Sequence, residues 1–177
     1  TDPSVSGLTS PSGTDTDGEV TFTLTFHEPM DAATVMSDDL TVTGVGDASI
    51  IEVSPVSGTA TSFTVKVTGT GDVGSSLDLA ASVGAQFADA AGNSITLTTE
   101  VTDTAAIDTV HPTINSIAAA GDGAFTVGDS IDFTVTLSED VQAEGALRLT
   151  LNTGETVTVA TSAAGDTLTG TYTVTDS

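Results

Sequence analysis

Val20-Thr21-Phe22-Thr23-Leu24-Thr25-Phe26 alternates large apolar side chains with threonine. Successive side chains of a strand point to opposite faces, so Val20, Phe22, Leu24 and Phe26 are expected against a core, with Thr21, Thr23 and Thr25 toward water. The same period returns at Phe63, Val65 and Val67, then at Ile131, Phe133, Val135 and Leu137. It recurs at Leu147, Leu149 and Leu151 around Arg148, which is expected to be exposed. Helical periodicity is almost absent. Only the segment from Asp31 to Met36 predicts a helical turn, with Asp31 capping its start. The pattern predicts an all-β chain.

Turn-forming clusters at Ser10 to Gly18, Ser54 to Gly58, Gly69 to Gly74 and Asp89 to Asn93 punctuate the strands. The spacing predicts seven strands in the first unit, near 4–9, 20–27, 40–45, 48–54, 62–69, 76–82 and 95–103, as in an immunoglobulin-like sandwich. At 177 residues the chain exceeds one such sandwich and falls short of two full ones.

Internal repetition locates the second unit. Val20 to Glu28 aligns with Ile131 to Glu139, terminal acid included, and Asp2-Pro3-Ser4-Val5 resembles His111-Pro112-Thr113-Ile114. The domains are therefore expected at 1–108 and 109–177, joined by a short linker, Asp108 to Pro112, that proline stiffens. Strands are expected in the second unit near 113–119, 130–137, 146–151, 155–160 and 168–174, without the last two strands of the template. Such a sandwich is open, and the expectation is a fragment cut within a repeat, or else a partner that supplies the missing strands.

Two Lys and Arg residues stand against 25 Asp and Glu, a formal charge of −23, which opposes binding to nucleic acid or an anionic membrane surface and favours cations. A 38% hydrophobic fraction is enough to build a core in spite of that charge. The absence of Cys excludes disulfides, thiolate catalysis and Cys-type zinc sites. The sequence contains neither a signal peptide nor an apolar run long enough to span a bilayer, and Thr1-Asp2-Pro3 reads as the middle of a longer polypeptide, so any export signal is expected outside it.

Phe26-His27-Glu28-Pro29-Met30, Asp89-Ala90-Ala91-Gly92-Asn93 and Asp108-Thr109-Val110-His111-Pro112 together resemble motifs of the bacterial immunoglobulin-like repeats of large secreted adhesins, including the RTX type. His27 stands where the family more often has serine. The resemblance covers the whole chain. It implies tandem β-sandwiches outside the cell, at the surface or secreted, that extend a ligand-binding tip and often carry Ca2+ at the joints between neighbouring repeats. The second unit has the linker proline and Ser138-Glu139-Asp140, but no Asp-x-Ala-Gly-Asn loop.

Calcium takes six to eight oxygen ligands, which favours loops that bring carboxylates and carbonyls to one pole. Counting seven alternating strands places Glu28, Asp31, Asp89, Asn93 and Asp2 at one end of the first unit. At the opposite end are Asp108 with Asp15 and Asp17, expected to face Glu139 and Asp140 of the next repeat, where a second ion would bridge. The competing reading is that these acids are solvated or stabilise their own turns, and that Gly92-Asn93 is there because both residues tolerate a left-handed backbone in a tight turn. Asp15-Thr16-Asp17-Gly18 is not an EF-hand, because Gly13 and Leu24 stand where ligands are required.

Catalysis finds little footing, and no enzyme activity is expected. His27 ends a strand and His111 sits in the linker, with one Lys and no Cys to partner them. A carboxylate pair suits a glycosidase, yet aromatic residues are 4% of the chain and Trp is absent, which removes the usual sugar-stacking platforms. The expected role is a calcium-stiffened extender of a bacterial surface adhesin, in cell adhesion or biofilm. Its partners are neighbouring repeats of the same chain, with the host or cell-surface ligand bound elsewhere. Alternatives are a ligand-binding adhesin module, or a filament subunit completed by strand donation.

Overall fold

Where the sequence alternates, the backbone is extended. The structure, a computed structural model, describes residues 2–121, 123–142 and 146–176. The first unit, Thr1–Val110, contains β1 (Val5–Thr9), β2 (Thr14–Asp15), β3 (Glu19–Asp31), β4 (Leu40–Thr43) and β5 (Ser49–Ser54). It continues through β6 (Thr59–Thr68), β7 (Ser75–Ala81), β8 (Gln86–Ala88), β9 (Ser94–Thr96) and β10 (Val101–Ile107). The turn foreseen at Asp31 is a 3-10 turn, Ala32–Thr34, capped by Asp31 through a 3.0 Å bond from the Ala33 amide. A second 3-10 turn, Ser37–Asp39, leads into β4.

Two four-stranded sheets form, in the orders β1-β3-β6-β5 and β2-β10-β7-β4, with β8 and β9 as a separate hairpin. Taken in chain order, the seven main strands divide first-second-fifth-fourth against third-sixth-seventh, the ABED and CFG division of an immunoglobulin-type sandwich. The inner faces interdigitate. Val20, Phe22, Leu24, Phe63, Val65 and Val67 from one sheet, and Leu77, Leu79 and Ile107 from the other, are at most 1% exposed. Phe26 meets both Phe63 and Phe87 edge-on, a geometry that suits the ring quadrupoles. On the outer face, Lys66 lies between Glu19 at 3.1 Å and Glu52 at 3.9 Å.

Two details differ from the sequence expectation. The stretch near 95–103 is not one strand: Ser94–Thr96 pairs with Gln86–Ala88, and the last strand of the sandwich is Val101–Ile107, displaced toward the linker. Ile95 and Leu97 alternate as strongly as Ala105 and Ile107 do, so period alone cannot separate them. Within the expected turn at Ser10 to Gly18, Thr14–Asp15 forms a short parallel pairing with Ala106 and Ile107.

The second unit, His111–Ser177, contains β11 (Ile114–Ala119), β12 (Ser130–Val141), β13 (Ala146–Thr150), β14 (Thr156–Ala160) and β15 (Gly165–Thr173). They make one five-stranded sheet, β11-β12-β15-β14-β13.

The sequence repeat is also a repeat of register. Val5 pairs with Phe26 and, after a bulge, Gly7 with Thr25 and Leu8 with Leu24. Ile114 likewise pairs with Leu137 and, after a bulge, Ser116 with Thr136 and Ile117 with Val135. The pairing of β3 with β6 jumps from Thr25↔Ser62 to Met30↔Ala60, and that of β12 with β15 jumps from Thr136↔Thr167 to Val141↔Gly165. Bulges that recur at matching positions identify one supersecondary frame used twice.

The third strand behaves differently in the two units. In the first, β4 crosses to the second sheet and pairs with β7. In the second, β13 pairs with β14 in the same sheet. Among the described residues the second unit has no counterpart of β7 for it to cross to.

Candidate metal centre in the first unit

The sandwich places two groups of acidic loops at opposite ends of its strands. At the first end, Met30 bridges to Asp89 immediately before the cap residue Asp31. Thr34 Oγ1 donates to the Ala88 carbonyl and accepts from the Ala88 amide, which joins the 3-10 turn to the strand leading into the Asp89 loop. Ser4 reaches the same end through a 3.0 Å contact with His27 Nδ1. His27 therefore holds the N-terminal segment against β3.

At this end the carboxylates organise their own loops. Asp89 Oδ1 accepts from the amides of Ala91 and Asn93, and Oδ2 accepts from Asn93 Nδ2 at 2.7 Å. The Asn93 amide above all holds the Asp89 carboxyl below the ordinary carboxylate range, against the opposing pull of desolvation. Only Gly92 takes the positive φ in this turn, at 87°, so Asn93 acts through its side chain and not through a left-handed backbone.

Asp31 is occupied as a cap, while Asp2 is exposed and Glu28 partly so. Among the described residues, Asp2, Glu28, Asp31 and Asp89 supply no set of three carboxylates with oxygens within 4.8 Å of one another. Strand counting brings these loops to a common end, where Asp31 and Asp89 cap and close their own turns.

The opposite end is a closed circuit of loops. Asp15 Oδ1 accepts from the amides of Asp17 and Gly18, which turns the chain into β3. The Gly18 carbonyl accepts from the Gly69 amide and from Thr68 Oγ1. A Cβ on Gly18 would stand 2.7 Å from the Gly69 oxygen, and its φ of +73° already favours glycine.

Thr70 then donates its amide and its hydroxyl to the two oxygens of Asp47, at 3.0 and 2.6 Å. The Thr70 hydroxyl, followed by its amide, lowers the Asp47 carboxyl from its usual range. The next residue, Gly71, exchanges bonds with Thr109: its carbonyl accepts from the Thr109 amide at 2.8 Å, and its amide donates to Thr109 Oγ1. The Asp108 amide donates to the Asp15 carbonyl at 2.8 Å, and the circuit is complete.

This circuit sets Asp72 and Asp108 side by side, with carboxylate oxygens within 4.8 Å of each other. Asp72 Oδ1 accepts from the Val73 amide. Asp108 Oδ1 is shielded and has no hydrogen-bond partner among the described residues. Two close carboxylates, one with an oxygen that no donor satisfies, are chemically suited to a hard cation, which completes its shell with carbonyls and water.

Asp17 is exposed here and Asp15 is committed to its turn, so the sequence-predicted group contributes Asp108 directly and Asp15 as support. Glu139 and Asp140 belong to β12 of the second unit, in the bulged segment that matches Glu28 and Pro29 of β3. Asp47 and Asp72 were missed. Both sit in loops that strand counting assigns to this end, but an acid in a Gly-rich turn carries no periodic signal.

No helix among the described residues is long and apolar enough to cross a membrane. No family model, curated protein or solved structure matches this chain.

Proposed function

We propose that this chain is a calcium-stiffened extender of a bacterial cell-surface adhesin, a non-catalytic spacer outside the cell. The observation that carries the reading is the duplicated frame, in which β11, β12 and β15 repeat the registers and bulges of β1, β3 and β6. Tandem copies of one structural unit gain length by addition, which is the property a spacer needs. Neighbouring repeats of the same long chain are its partners, and the host or cell-surface ligand is bound elsewhere along that chain.

Calcium enters through the acidic pole. Asp72 and Asp108 hold the ion, with Asp15, Asp47 and Thr109 positioning the loops that carry them. A bound divalent cation supplies the positive charge that lets two neighbouring carboxylates stay close in a protein of net charge −23. Because Asp108 and Thr109 open the linker, ordering Asp108 also orders the start of the connection to the next repeat.

Calorimetric titration of calcium tests the reading, paired with melts in chelator and in millimolar calcium. Saturable binding with a raised melting temperature is expected. A flat titration together with superimposable melts would remove the calcium role and leave a plain repeat module.

A further inference from the structure

Met36, Ile51 and Val56 are 53%, 51% and 77% exposed, and all three line one groove of the first unit. β4 and β5 end the two sheets on the same side of the sandwich. The segment that crosses from β3 to β4 forms one wall of the groove, and Ile50 to Val53 with Val56 form the other. Its volume is about 530 Å³. Buried Ala32 and Val35 belong both to this lining and to the core, so core side chains floor the groove. Single exposed aliphatic residues are ordinary on a protein surface, but three that converge on a concavity mark an interaction site.

The edge of β5 constrains what fits there. Among the described residues β5 pairs on one side only, with β6, and no strand pairs with its other edge. Ile50 pairs with Val67 and Glu52 with Lys66, so Ile51 is the extra residue of a bulge. A bulge turns an edge away from long, flat strands and limits pairing to a short segment. A short extended peptide satisfies both features, with main-chain bonds along β5 and aliphatic side chains in the groove.

Charge selects among such peptides. The only ionisable residues in the lining are Asp38 and Glu52, both acidic. Lys66 stands 3.9 Å from Glu52 but 3.1 Å from Glu19, and all three are exposed, so it neutralises Glu52 only in part. A second copy of the chain is a poor occupant, because it brings its own acids and a charge of −23 to an acidic rim. A basic segment gains where a copy loses.

We infer that this groove binds a short extended peptide that combines aliphatic side chains with Lys or Arg. The site shares no residue with the pole formed by Asp72 and Asp108, so the inference does not depend on the calcium reading.

The test selects a library of randomised heptapeptides against the intact chain in chelator. Enriched peptides are expected to place Lys or Arg beside aliphatic residues. A synthetic copy of the most enriched one should shift the amide signals of Met36, Ile51 and Val53 in a saturable one-to-one titration. Ile51→Ser and Val56→Ser, both at exposed positions, should each weaken binding while leaving the melting temperature unchanged. Asp38→Asn combined with Glu52→Gln should weaken it about tenfold at low salt and flatten its salt dependence.

A selection that enriches nothing over a chain carrying both serine substitutions overturns the inference. Enrichment of apolar peptides without Lys or Arg does the same. So does a dimer of the unmodified chain, seen by sedimentation equilibrium and lost in Ile51→Ser, because the groove would then take a second copy instead.

Discussion

Phe22 and Phe133 occupy matching positions in the two repeats, but Phe22 is fully buried between two sheets while Phe133 is packed from one side only. Removing a buried ring costs its transfer free energy and leaves a cavity. Phe22→Ala is therefore expected to destabilise the first unit by about 3–5 kcal/mol, and Phe133→Ala the second unit by clearly less. Chemical denaturation followed by circular dichroism, with Tyr172 fluorescence reporting the second unit separately, measures both. Equal losses would show that the two faces are equally covered.

Gly18 has a different kind of constraint. Its positive φ and the Gly69 carbonyl 2.7 Å from a notional Cβ leave no room for a side chain. Gly18→Ala is expected to cost about 1–3 kcal/mol and to loosen the bond from the Gly69 amide. A melting temperature within error of the parent would contradict the closed loop circuit described at this end.

The two acidic ends are expected to respond oppositely to mutation. Asp108→Asn keeps its shape and removes charge, so the melt in chelator should hardly move while the calcium-induced shift is lost. That shift corresponds to about 2.7 kcal/mol at a hundredfold excess of calcium over its dissociation constant. Asp89→Ala should lower the melting temperature in chelator and in calcium alike, since its oxygens serve Ala91 and Asn93. The reverse pattern would transfer the ion to the Asp89 end.

The Asp89 loop should also be sensitive to acid. Its carboxyl titrates below the ordinary range when folded, so its contribution is complete above the unfolded value and disappears as pH falls through the folded one. Asn93→Ala removes the largest cause of the shift, and the Asp89 midpoint, followed by carboxyl carbon NMR, should move upward. An unchanged midpoint would mean that the backbone amides alone hold the charge.

Much of this architecture is legible in the sequence because its signals are periodic. Alternation from Val20 to Phe26 finds β3, and its echo from Ile131 to Leu137 finds β12 and the repeat. The last strand of the sandwich escapes because Val101-Thr102-Asp103-Thr104-Ala105 is a weak apolar pattern, whose Asp103 instead accepts from the Ser10 amide across to β1. The ends of the sandwich are less legible still. Whether an Asp binds an ion or closes its own turn depends on which amides the loop backbone aims at it. Asp89 accepts from the amides of its own loop, whereas Asp108 Oδ1 has no hydrogen-bond partner among the described residues, and neither fact is written in the residue type.

The short pairing of Thr14–Asp15 with Ala106 and Ile107 has a mechanical consequence. These two strands run parallel, and the chain enters one from the N-terminal side and leaves the other toward the linker. Tension along the polypeptide therefore pulls them in opposite directions along their shared axis. Their bonds, with the one from Asp108 to Asp15, are loaded in shear and must yield together, whereas a hairpin pulled at its open end unzips one bond at a time. The first unit thus has, between its N-terminal segment and its linker, a latch that resists stretching in shear.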